Sequence, residues 1–260
     1  MLRGLWSAAC GMSAHKMTID VIANNLANVN TAGFKRSRAD FQDLMYQTLT
    51  QAGSRTPAGS QVPTGIQIGM GTMPTGVQKM FLQGDFQETK NELDMAIEGK
   101  GFFKVMSNDE EAYTRAGNFK LDSEGNVVTP SGDRLQPEIT VPATTVTVSI
   151  DKYGSVTAFD PAGAGTVLGT IELTSFPNPA GLYSMGRNLF KPTDASGTAT
   201  SGTPGSNGLG TVAQGFLEMS NVDVVEEMVH MIIAQRAYEI SSKSIQTADN
   251  MMQIANNIKR

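Results

Sequence analysis

Two histidines, His15 and His230, and a single cysteine, Cys10, are the side chains of this chain best suited to metal ligation or nucleophilic attack. Each histidine falls inside a helical pattern, far in sequence from other plausible ligands, so the spacings that build zinc or His-based catalytic sites are not met. One cysteine cannot form an internal disulfide or a Cys-based zinc site. The carboxylate pairs Asp94/Glu98 and Glu226/Glu227 are candidates for acid–base work, but no cleft is implied around them. They read as solvated charges, with Glu226 and Glu227 placed where negative charge favours the start of a helix. The run GMGTMPTG around Gly69 and Gly71 begins as a dinucleotide loop does, yet Pro74 stands where the third glycine belongs and a strand-like pattern follows. Neither a G-x-S-x-G elbow nor an H-E-x-x-H motif occurs. In MAIEGKGFFKV, Met95 to Val105, Gly99 and Gly101 bracket Lys100 ahead of Phe102 and Phe103. This lacks the spacing of a phosphate-binding loop and reads as a tight hairpin turn anchored by its two aromatics. The expectation is a protein with no catalytic centre, no metal and no cofactor.

Elements therefore matter more than reactive groups. The 260 residues, 40% hydrophobic and 17% charged, suffice for a core or for two to three smaller domains. A net charge of −5 and a pI near 5.1 give no electrostatic reason to hold nucleic acid. The N-terminus lacks the continuous apolar region of a secretory signal, and no stretch reaches transmembrane length. Membrane insertion is not expected, and taken alone these features read as soluble and cytosolic.

Leu5, Met12, Ile19 and Leu26 recur at seven-residue intervals, with Leu2, Ile22 and Val29 widening the stripe. This predicts a helix over residues 1–32, broken at Gly33. Its end is unusual, because VIANNLANVNTAGFKR loads an apolar pattern with Asn24, Asn25, Asn28 and Asn30. The tetrapeptide IANN recurs near the other end of the chain, where it contributes Asn256 and Asn257. Asn is a mediocre helix-interior residue, so two readings stand: Asn amides that fix register between packed helices, or, for Asn28 and Asn30, a simple fraying of the helix end. Residues 220–260 return to the helical period. Val224, Met231, Tyr238, Ile245 and Met252 form one series; Ile233, Ile240, Thr247 and Ile254 form a second; Ala237, Ser244, Met251 and Ile258 form a third. A helix apolar on several sides expects several helical neighbours.

Between the helices, residues 33–69 read as an extended linker or strap, with the polar stretch Gln47 to Gly65 too long for a mere connection. Residues 70–219 read as mostly β. Turns at Ser123–Asn126 and Pro130–Asp133 imply a meander of hairpins, Val146, Val148 and Ile150 alternate as a strand, and Asp194 to Gly210 reads as an exposed loop. The fold class expected is α+β: a discontinuous, coiled-coil-like helical domain from both termini, enclosing a mostly-β region.

Four blocks in order carry a resemblance: ANNLANVNTAGFKR (23–36), AIEGKGFF (96–103), YTRAGNFKLDSEGNVVTPSGDRLQP (113–137) and SNVDVVEEMVHMIIAQRAYEISSKSIQTADNMM (220–252). Together they resemble the axial proteins of the bacterial flagellum, the rod and hook subunits, across nearly the whole chain. Gly33, Phe34, Gly99, Gly101, Phe102 and Phe103 are the signature turns of that resemblance. The length and the polar insertion are similar to those of the straight distal rod rather than to hook or proximal rod subunits. The resemblance implies a self-assembling helical homopolymer, with axial neighbours on the proximal-rod and hook sides and basal-body ring proteins around it. It also implies export through the flagellar type III apparatus without a cleaved signal, which places the chain in a rod crossing the periplasm. Such subunits are expected to order their terminal helices on polymerising. The alternative from another class is an extracellular binding module of the adhesin kind.

Overall fold

The computed structural model describes residues 2–53 and 63–258; the part of the polar insertion at 54–62 lies outside the described residues. Two long helices frame the chain, α1 (Leu2–Ala27) and α2 (Val224–Ile258). Strands occupy much of what lies between: β1 (Ser37–Asp43), β2 (Tyr46–Thr50), β3 (Ile66–Gly69), β4 (Thr72–Lys79), β5 (Phe86–Glu88), β6 (Met95–Glu98), β7 (Phe102–Ser107), β8 (Glu110–Thr114), β9 (Lys120–Leu121) and β10 (Val127–Val128). They continue as β11 (Arg134–Gln136), β12 (Thr147–Ile150), β13 (Ser155–Phe159), β14 (Gly165–Thr170), β15 (Leu173–Ser175), β16 (Tyr183–Gly186), β17 (Leu189–Lys191), β18 (Thr200–Gly202), β19 (Thr211–Gln214) and β20 (Phe216–Glu218). The class is α+β. The chain divides into two compact units: unit 1 takes Met1–Leu26, Ser37–Gln78 and Val224–Arg260, and unit 2 takes Ala27–Arg36 and Lys79–Asp223.

Unit 2 holds the core. Its nine-stranded sheet runs β16-β17-β8-β7-β11-β10-β9, with β15 on β7 and β18 on β15. Its central strands bury both sides, so neighbours such as Phe102 and Phe103, Ala112 and Tyr113, and Leu189 and Phe190 point to opposite faces and into different clusters. Phe103, Val105, Leu135, Leu173 and Leu189 are sealed within one cluster, while Phe102, Tyr113, Phe176 and Phe190 form a second. The rings of that second cluster meet edge to face, Tyr113 and Phe176 at 4.9 Å between centroids. The β9-β10-β11 meander turns where the sequence reading puts its turns. The antiparallel three-stranded sheet β12-β13-β14 buries Val148 and Ile150, whereas Val146 precedes the strand and is exposed.

Two sequence expectations change here. The stretch Asp194 to Gly210 is not merely an exposed loop, because Thr200–Gly202 pairs with β15 and Ser196 and Leu209 are buried. The Gly99–Gly101 turn does not close a hairpin either. β6 pairs with β19, and β7 pairs with β8, β11 and β15, so the two strands flanking the turn are not partners. Side-chain donors, described below, hold the turn instead.

In unit 1, β1 pairs with β4 and β2 with β3, the latter from Tyr46 opposite Gly69 to Thr50 opposite Ile66. Much of what reads as a strap is thus paired strand, whose partners lie from 16 residues away at Thr50–Ile66 to more than 30 away along β1 and β4 and leave no local sequence signal.

Candidate functional site

Within unit 1 the helices run antiparallel. Asn25 near the end of α1 bonds Glu227 in the first turn of α2, whereas Gly11 lies against Ser241 farther along α2. In both contacts the two residue numbers sum to the same value, as the constant register of an antiparallel helix pair requires. The seam thus falls on two heptad series of mostly small residues, Gly11, Thr18 and Asn25 on one helix and Glu227, Ala234, Ser241 and Ala248 on the other, whereas Gly4 is exposed. Among the residues whose burial is described, Ala234, Ala248 and Glu227 are the buried ones of α2, and Ala14, Ile22 and Asn25 are those of α1.

The larger apolar series sit elsewhere. Leu5, Met12, Ile19 and Leu26 are half-buried, as are Met231, Ile245 and Met252. Val224, Ile233, Tyr238, Ile240 and Ile254 are exposed, Ile240 at 65%. Val225, Met228, Val229 and Ile232 join them, so the outward surface of α2 is more apolar than its seam. Small seam residues were missed in the sequence because a hydrophobicity count ignores Gly, Ser and Thr. A search for seven-residue repeats of small side chains finds both series.

The asparagines part company. Asn25, 1% exposed, accepts from the Ser37 N–H at 2.9 Å, donates to the Ser37 carbonyl at 2.9 Å and donates to Glu227 Oε2 at 3.3 Å. One amide thus satisfies both backbone groups of the residue that begins β1 and reaches α2 as well. Asn24 is exposed and Asn28 half-buried, and the Asn28 carbonyl accepts from Thr31 N–H in the turn that follows α1. Asn256 and Asn257 are exposed. Glu227 overturns its reading as a solvated helix-start charge, since it is buried against Asn25; Glu226 is exposed and faces His230 at 3.3 Å.

Unit 2 contains the other end of the signature. Gly33 has φ +71°, and a Cβ there would lie 2.5 Å from the Ala116 backbone nitrogen. Only glycine fits both the left-handed backbone and that approach. Its N–H donates to the Glu218 carbonyl, Phe34 is buried beneath the Lys79 ammonium, and Lys35 follows with 2% exposure. Lys35 Nζ lies 2.6 Å from both Glu218 Oε1 and the Leu82 carbonyl. Arg115 donates from Nε to Glu218 Oε2, and from its terminal nitrogens to the carbonyls of Gly101, Gly99 and Ile97. The Gly99–Gly101 turn is thereby wrapped around a guanidinium, the physical reason that β6 and β7 need not pair. Burial pushes Lys35 below the ordinary lysine range more than its ion pair with Glu218 raises it. Asn221 completes the knot, accepting from Arg36 N–H and donating to the carbonyls of Met80 and Leu82. The arrangement is a buried ionic and backbone network.

The signature residues at both ends match known sequence families: "Flagella basal body rod protein" over residues 5–35, the FlgE/F/G hook-protein D1 domain over 96–158, and the rod FlgEFG C-terminal family over 213–258. The flagellar basal-body rod protein FlgG of Borreliella burgdorferi is 50% identical over 264 residues, covering all of both chains. The chain belongs to the flagellar basal-body rod protein family. The Bacillus subtilis FlgG is 40% identical over 265 residues, again covering 100% of both. The hook protein FlgE of Helicobacter mustelae is 44% identical over 139 residues, which is 52% of this chain and 30% of that one. As a member of the rod family this chain is a structural subunit of the flagellar rod. The hook match extends the similarity to another axial protein of the flagellum.

Proposed function

We propose that this rod-family chain is the distal rod subunit, polymerising head to tail into a straight, hollow shaft that transmits torque from the basal body to the hook. The observation that carries this reading is the inverted helix pair of unit 1, whose seam is small and whose outward side carries Val225, Met228, Ile232, Ile233 and Ile240. A heterologous contact that does not close generates an open helical filament, and such a surface suits repeated copies of the same helices. Residues 1–32 and 220–260 line the inner tube in this reading, and residues 70–219 form its outer wall. Asn25 and Glu227 set the register of the pair. The subunit performs no catalysis and takes no cofactor. Its partners are further copies of itself, the proximal-rod and hook-side axial proteins, the surrounding ring proteins and the type III export apparatus, through which it leaves without a cleaved signal to build the rod across the periplasm.

The test is electron microscopy of the purified chain at high concentration, with Ile240→Asp beside it. Straight tubes from the parent and none from the variant are expected, because a carboxylate buried in an apolar subunit contact costs several kcal/mol. Tubes from both would show that Ile240 lies outside the contact, and tubes from neither would remove the reading.

A further inference from the structure

Unit 2 contains a cavity of about 210 Å³ beside the Lys35–Glu218–Arg115 cluster, and the rod reading gives it no role. Lys35, Arg115 and Lys100 line it together with Gly99 and Gly101, and Phe81, Phe102, Phe176, Pro177 and Pro179 make its apolar wall. Phe102 stands edge to face with Phe81 at 5.3 Å and with Phe176 at 5.8 Å, so the wall is a fixed aromatic surface.

The hydrogen-bond inventory of the two buried cations is incomplete. An ammonium has three N–H donors and a guanidinium five. Lys35 directs bonds to the Leu82 carbonyl and Glu218, and Arg115 to Glu218 and three carbonyls. One donor on each is left over among these bonds. The charge is unbalanced in the same direction: two buried cations meet one carboxylate, and Lys100 adds an exposed cation at the same cavity. The larger cavities lack this feature. The one lined by Glu92, Asp122 and Glu124 is acidic, the one beside β2 and β3 has no charged lining residue, and the one beside β12 sets a single lysine, Lys90, against Glu92.

We infer that this cavity binds a small monocarboxylate with an aryl or branched apolar body, its carboxylate on Lys35 and Arg115 and its body against Phe81, Phe102 and Phe176. One negative charge balances the cluster, two carboxylate oxygens match the two remaining donors, and the volume suits a fragment rather than a nucleotide. Burial already disfavours the Lys35 ammonium, with Arg115 adding repulsion, so a bound anion relieves an existing cost.

Calorimetric titration of the full-length protein at low salt with phenylacetate, its neutral isostere phenylacetamide, and inorganic phosphate tests this. Saturable phenylacetate binding, at least roughly tenfold tighter than that of phenylacetamide, is expected. Lys100→Glu, an exposed change that leaves the core intact, should weaken it by about tenfold through repulsion. Arg115→Lys, tested only if its melting curve stays cooperative, should weaken it further because the planar fork is lost. Equal binding of acid and amide would make the cavity a mere apolar hole and overturn the inference. So would a preference for phosphate, an absence of saturable phenylacetate binding, or phenylacetate binding that Lys100→Glu leaves unchanged.

Discussion

In unit 2, Phe103, Val105, Leu135 and Leu173 are sealed inside a sheet, whereas unit 1 leaves Val225, Ile232, Ile233 and Ile240 on the surface of one helix. The same hydrophobic effect acts on both. Unit 2 satisfies it internally, and there Lys35 and Arg115 share Glu218 as their carboxylate partner. Unit 1 buries chiefly small or polar groups in its own seam and leaves several of its largest apolar side chains exposed, which the proposed polymer would cover with further copies. The contrast shows how one chain can hold a folded body and a surface that becomes complete on assembly.

Glu218→Leu attacks the closed unit and should have the largest effect. It strands Lys35 and Arg115 as buried cations, which costs about 3–5 kcal/mol. A urea unfolding curve should lose that much stability for the unit 2 transition, and a change below about 1 kcal/mol would mean the cluster is solvated. Asn25→Ala acts on unit 1 in the same way at smaller scale. It removes the partner of both Ser37 backbone groups and of Glu227, costing about 1–3 kcal/mol. Faster amide exchange confined to α1, β1 and the first turns of α2 should report it.

Without mutation, amide exchange of the unassembled chain sharpens the comparison further. Strands β7, β8 and β11 should exchange slowly, and α2 beyond about Ser241 should exchange orders of magnitude faster, since helices with little burial gain too little to offset ordering entropy. Uniform protection along α2 in a verified monomer would erase the distinction between the units.

The smallest effects come with alkali and belong to unit 2. Lys35 has its pKa lowered by burial, so between that lowered value and 10.5 the unfolded chain holds more protons and stability rises with pH. Tyr113 works the other way. Burial first, and the neighbouring Glu111 carboxylate second, push its phenol up to about 12, so its contribution is fully present below the ordinary value of 10.0 and is lost as pH rises through about 12. Of the five tyrosines, one should ionise last in an ultraviolet titration, and Tyr113→Phe should remove that late step.

How far the sequence reaches differs between the units as well. Both helices are legible from their period, and Ala27 ends α1 five residues before the predicted limit because Asn28 to Gly33 turn rather than wind. Asn25 is recognisable as a misplaced polar residue, but its partners Ser37 and Glu227 are not, since one lies across a turn and the other two hundred residues away. The meander at β9 to β11 is local and is read from its turns. Lys35, Arg115 and Glu218 stand 80 and 103 positions apart, with nothing nearby to mark them as one cluster. Only the tertiary fold brings them together, and the Gly99–Gly101 turn resembles a hairpin in sequence because nothing local marks Arg115 as the group that holds it.

The run of small residues between α1 and α2 acts as a gauge block. A Cβ at Gly11 would already touch Ser241 at 3.6 Å, so side chains much larger than alanine where these two residues meet would press the helices apart. Every outward side chain on α2 is carried at a distance from α1 that these residues fix. An over-large side chain where Gly11 meets Ser241 would be repeated by each added subunit, so the plainest side chains in the chain set the manufacturing tolerance of whatever is built from it.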